Sequence, residues 1–127
     1  MKIILSLAFA FCFCSTHAQT DSAVYFNPEI QAEYPGGPAA WYRYLAKNLT
    51  YPDIEVKEEM DLKVTVRFAV DSLGHSSHFT AVRGSEGLRN EAIRVIRNIK
   101  IWVPAVENGK KVNSWKEVTI GFELANQ

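Results

Sequence analysis

The clearest pattern in the chain is a strict alternation from Leu62 to Val70. Leu62, Val64, Val66, Phe68 and Val70 are apolar, while Lys63, Thr65 and Arg67 between them are polar and Ala69 is small. A two-residue period of this kind predicts a strand with one buried face. Asp71-Ser72-Leu73-Gly74 follows as a turn, and Ser76 to Arg83 reads as a second strand returning beside the first, an antiparallel hairpin. The period changes after Gly84 and Gly87. Leu88, Ala92, Val95, Ile96 and Ile99 recur at helical spacing, with Arg89, Asn90, Arg94 and Arg97 on the other side. That spacing predicts an amphipathic helix over 88–99.

An earlier helix is predicted over Ala39 to Leu49. Gly36 and Gly37 permit a sharp turn, and Pro38 suits a first helical position because its missing N–H has no partner to lose there. Trp41, Tyr44, Leu45 and Leu49 form its apolar stripe. Pro52 disfavours helix at Tyr51 and so ends it. Asp53 to Asp61 is charged and aperiodic, which reads as a loop. Asn108-Gly109-Lys110 is a turn signal, and Val118, Ile120, Phe122 and Leu124 alternate in a last strand. The order helix–strand–strand–helix–strand predicts an α+β fold: a two-layer sandwich of a small three-stranded antiparallel sheet with two helices on one face. This domain spans 34–127. Residues 19–33 are polar and weakly patterned, a flexible lead-in in which Val24 to Phe26 allows a short strand.

The first eighteen residues have a different character. Met1 and Lys2 make a positive start, Ile3 to Phe13 is apolar except for Ser6, and Thr16-His17-Ala18 puts small residues where signal peptidase reads. The apolar run is 11 residues long, against the ~20 that a helix needs to cross a bilayer. Residues 1–18 are therefore expected to be a cleaved signal peptide, leaving a periplasmic domain that starts at Gln19. Both cysteines, Cys12 and Cys14, would be lost with it. Phe11 and Phe13 stand before them where lipidation requires small residues. Without Lys2 the remaining chain has 13 basic and 14 acidic residues. That balance argues against nucleic acid, which selects clustered Lys and Arg.

Catalytic chemistry is hard to assemble from what remains. No thiol survives the cleavage. His75 and His78 flank the hairpin without a third metal ligand at useful spacing, and Ser76 and Ser77 do not sit in a nucleophile elbow. The acidic run Glu55, Glu58, Glu59 and Asp61 lacks an apolar pocket to raise a carboxylate pKa. The expectation is no enzyme, no cofactor and no small-molecule substrate. Trp41, Tyr44 and Trp102 read as core. Trp115 and Tyr51 are equally readable as packing or as anchors for a peptide.

Taken in order, these pieces resemble the TonB C-terminal domain in a small form, from Tyr34 to Leu124. The resemblance rests on Tyr34-Pro35-Gly36-Gly37, on Tyr44-Leu45, Asn48-Leu49 and Tyr51-Pro52, and on Val64, Val66, Phe68 and Val70. Gly74, the helix segment Glu91 to Ile96, Trp102 with Pro104, and Asn108-Gly109-Lys110 complete it. The chain departs from the family at Glu55, Glu59, Leu62, Leu73 and Ala105, which bears on any contact made by the loop 53–61.

The resemblance implies a periplasmic protein-binding module for TonB-dependent transport. An extended peptide of an outer-membrane receptor, the TonB box, would add as a strand to an exposed sheet edge. Similarity places that edge on the last strand, 117–124, with Trp115, Glu117, Thr119, Gly121 and Glu123 as contact residues. Asn48, Thr50, Tyr51 and Pro52 would lie close by. With the leader cleaved, such a domain would act as an adaptor or regulator. The rival expectations are a structural module of another envelope complex, dimerising through the same edge, and, third, a small periplasmic enzyme built on His75 or His78.

Overall fold

The computed structural model describes residues 23–52 and 61–122. Residues 1–22 (the expected signal peptide among them), most of the charged loop, and Glu123 with the residues after it lie outside the described residues. The elements are β1 (Val24–Tyr25), α1 (Gly37–Asn48), β2 (Lys63–Val70), β3 (Ser76–Val82), α2 (Glu86–Arg97), β4 (Ala105–Glu107) and β5 (Lys110–Gly121).

The fold is α+β, as the periodicities require, but the sheet is larger than three strands. Its main path runs β1-β5-β2-β3, and β4 pairs with β5. The last strand is also longer than its alternation suggests. It begins at Lys110, directly after a tight turn in which Asn108 and Gly109 both have positive φ (53° and 75°). Such a turn matches the twist of a hairpin, and it pairs Glu107 with Lys110 and Ala105 with Val112. Further along, β5 pairs antiparallel with β2 from Ser114↔Val70 to Gly121↔Lys63. On its other side β1 runs parallel to it, with Val24 opposite Asn113 and Tyr25 opposite Ser114. The chain from Ala23 to Glu33 is thus tied to the domain, with further bridges from Ile30 to Val106 and Glu33 to Val103.

The hairpin β2–β3 contains a bulge. Arg67 faces Thr80 but Ala69 faces Ser77, so β3 carries one extra residue. His78 takes the strain with φ 58°. The bulge sets the facing of Phe79, whose ring stacks on Phe68 at 5.7 Å. At the turn, Asp71 Oδ1 accepts from the N–H of Leu73 and of His75. Gly74 is left-handed there, and a Cβ on it would run into the carbonyl oxygen of Trp102.

Both helices cover the face of the sheet lined by Val64, Val66, Phe68, Val70, Ile120 and Phe122. Ser85 caps α2 by accepting from the Leu88 N–H, Glu86 complements the positive helix start, and Arg94 and Arg97 the negative end. That cap starts the helix two residues before its first apolar position. Leu88, Ala92, Val95, Ile96 and Ile99 are all buried. Helix α1 is shallower. None of its residues is fully buried, yet Trp41, Tyr44 and Leu45, with Leu49 just beyond its end, pack on the core. The Tyr44 hydroxyl donates to the Val95 carbonyl at 2.6 Å and joins the helices. Trp102 plugs the space between layers, its ring 5.1 Å from that of Phe68 and 5.8 Å from that of Trp41.

Candidate functional site

A strand has main-chain groups on both sides, and β5 uses one side for β2. The Phe122 N–H donates to the Leu62 carbonyl, so even-numbered residues of this stretch turn their main-chain groups to β2. Odd-numbered ones turn theirs away. On that outer side β1 runs alongside β5 at Asn113 and Ser114, of which Asn113 is the one that turns its main-chain groups outward. Beyond, among the described residues, no strand pairs with the outward groups of Glu117, Thr119 and Gly121. An open edge of this length is a template for another strand.

The edge has a different neighbour on each face. On the helix side lies a groove of about 290 Å³, lined by Tyr34, Trp41, Tyr42, Trp102, Lys116 and Val118 among others. The indole N–H of Trp102 is buried without a hydrogen-bond partner among the described residues. On the uncovered face, the Arg67 guanidinium lies 4.7 Å from the Trp115 ring centre and 5.0 Å from that of Phe26. Those rings stack at 6.2 Å, so a cation and two aromatics fasten β1 beside the edge. Replacing Phe26 with alanine removes contacts of both kinds, each worth about 1 kcal/mol. Amide exchange at Val24 and Tyr25 is expected to quicken, while exchange in α2 stays as it is.

Trp115 is half-buried, and Glu117, Thr119 and Gly121 are exposed along the edge. The Thr119 hydroxyl meets that of Thr65 at 2.9 Å. Of the segment Asn48 to Pro52, the Tyr51 ring reaches the residue that follows β5, edge-on to Phe122 at 5.8 Å. Asn48 and Thr50 are held by α2 instead. The Thr50 N–H donates to Glu91, Arg94 donates to the Asn48 carbonyl, and Arg94 pairs with Glu91 at 2.7 Å. Pro52 is half-buried. The two histidines have separate neighbours: His75 lies 3.6 Å from Asp71, and His78 sits by Ser77 and the Trp115 ring.

Burial pushes the Glu91 carboxyl up, but hydrogen bonds from Arg94 and Thr50 and the Arg94 charge outweigh it and hold the pKa below its ordinary value. A carboxylate depressed in the folded state adds stability above its unfolded pKa, near 4.3 for glutamate, and loses it as pH falls through the folded value. Glu91→Gln is therefore expected to lower stability at neutral pH and to flatten its decline on acidification. Urea melts at pH 7 and pH 3 measure both effects.

Lys116 was not among the residues the sequence singled out. It projects to the helix side, where its position in an alternating strand is the only sequence signal for it. It is half-buried. Burial lowers its pKa, and the opposing attraction of Glu33 does not restore it.

The described residues thus form a two-layer α+β domain with one sheet face shielded and a strand edge open beside a groove. The chain belongs to the Gram-negative bacterial TonB protein C-terminal family, whose model matches residues 47–124. This is a family of protein-interaction domains, in general periplasmic, that engage outer-membrane receptors. Neither the characterised proteins nor the solved structures searched gave a match.

Proposed function

We propose that this domain is exported to the periplasm and accepts an extended peptide of an outer-membrane receptor as an added strand on β5, between Trp115 and Gly121. The observation that carries this is the run of outward main-chain groups at Glu117, Thr119 and Gly121, unpaired among the described residues. Strand addition satisfies such groups directly, and flanking side chains then select the sequence. Family membership supplies the class of partner. Residues 1–18 are the leader in this reading. N-terminal sequencing of the secreted protein is expected to begin at Gln19.

Titration of the domain with TonB-box peptides tests the edge. Amide signals from Trp115 to Gly121 should move, with those of β3 nearly still. No movement at millimolar peptide counts against strand acceptance. Two copies could also pair through this edge, which is the same on each. Sedimentation across a hundredfold concentration range separates that outcome, since a strict monomer excludes it.

A further inference from the structure

We infer that the uncovered face of the sheet holds a second site, a cleft beside Trp115 that binds a neutral sugar ring. The site uses side chains of that face, not the outward main-chain groups of β5, and it does not depend on strand acceptance.

The register of the sheet assembles it. Arg67 of β2 and Glu117 of β5 stand directly opposite, and Trp115 is two residues along on the same face. The chain after β1 completes the cleft with Phe26, Asn27 and Gln31. Its volume is about 460 Å³, within the ~300–1,000 Å³ of small-molecule sites. The planes of Phe26 and Trp115 are 23° from parallel, the Arg67 guanidinium lies over both, and the His78 ring meets the Trp115 indole near a right angle. The aromatic wall is thus ordered before a ligand arrives, which lowers the entropy that binding must offset.

The unused polar groups indicate the ligand. Among the described residues, the side chains of Asn27, Gln31, Arg67 and Glu117 make no hydrogen bond or ion pair. The amides and the guanidinium supply donors, while the amides and the carboxylate supply acceptors. A carboxylate or phosphate entering the cleft meets the charge of Glu117, and an amine meets that of Arg67. A neutral ring of hydroxyls meets neither penalty, because each hydroxyl both donates and accepts. The C–H face of a pyranose is apolar, and Phe26, 62% exposed, offers it a flat apolar surface.

The probes are maltotriose and cellotriose, both neutral and differing in linkage. Each is titrated into the secreted protein and followed by its indole and amide signals. At least one should saturate in the millimolar range, moving the Trp115 indole and the amides of residues 26–31 and 115–117. The indoles of Trp41 and Trp102, on the helix side, should stay still, as should the amides of Thr119 and Gly121. The double variant Asn27→Ala, Gln31→Ala removes two exposed side chains that bond nothing within the described fold. It should weaken binding roughly tenfold. Glu117→Gln keeps an acceptor and should change affinity by less than about twofold. Glucuronate and glucosamine should bind no more tightly than glucose. If neither trisaccharide moves Trp115, or if the double variant binds as the unaltered protein does, the site is overturned. Tighter binding of glucuronate or glucosamine overturns the neutral ligand. Each of these outcomes leaves strand acceptance on β5 standing.

Discussion

Trp102→Ala is expected to cost about 3–5 kcal/mol, the range for emptying a large aromatic site, and to bring the domain near unfolding at room temperature. Trp102 is 2% exposed and touches both layers. Its ring meets Tyr34, Trp41 and Phe68, so its loss opens a cavity that neither helix nor sheet can fill alone. The cost belongs to the ring, because alanine keeps the main-chain N–H that donates to the Gly74 carbonyl at the end of the β2–β3 hairpin. A domain of this size has a total stability of only about 5–15 kcal/mol. Thermal unfolding should show a midpoint lower by more than ~10 °C. Trp102→Phe should cost far less. It removes some contact area, but it also removes an indole N–H that is buried without a partner among the described residues, and an unsatisfied donor is itself unfavourable. If the two variants prove equally unstable, Trp102 is not acting as a packed plug.

Glu117→Pro is expected to weaken peptide binding at least tenfold while leaving the fold nearly intact. Glu117 lies opposite Arg67 in a pair whose main-chain groups do not bond across the strands, so its N–H points outward. Proline removes that donor and places its ring where an added strand must approach. Because the lost N–H bonds neither β2 nor any other described strand, the internal ladder survives, the one arrangement in which a strand accepts proline. Lys116→Pro, one residue earlier, would instead break a bond to Phe68 and should unfold the sheet. Binding and melting measurements on the pair separate edge from interior. Unimpaired binding by Glu117→Pro would place the partner elsewhere on the domain.

Most of the framework was readable because its signals were local and strong. Five alternating positions gave β2, five helical positions gave the buried stripe of α2, and Asp71 to Gly74 gave the turn between strands. The extent of β5 was hidden by its inward positions. Ser114 is fully buried and Lys116 half-buried on the side where apolar residues are expected, so the alternation shows only from Val118 onward. The Asn108-Gly109 turn was visible, and a hairpin around it would have revealed both β4 and the missing half of β5. The pairing of β1 carries no pattern, since two residues cannot show a period. The bulge at His78 is likewise silent, because it depends on where Phe79 finds Phe68. For the candidate site, Trp115, Glu117 and Thr119 stood out through family resemblance, and Lys116 escaped because a lysine on a strand is ordinarily solvated.

The parallel strand β1 has one more consequence. It lies on the same side of β5 as the open edge and ends at Tyr25, opposite Ser114, where Phe26 turns over the Trp115 ring. A guest strand sliding along β5 toward its beginning meets this segment as a wall. Seven residues, Trp115 to Gly121, remain for it, a berth of about 23 Å. Edges that are open at both ends let a guest slip by a residue and turn its side chains to the wrong face. For a strand accepted as proposed, β1 would be a fixed stop that sets the alignment before any side chain is compared, so the domain would measure its guest from one end, as a ruler does.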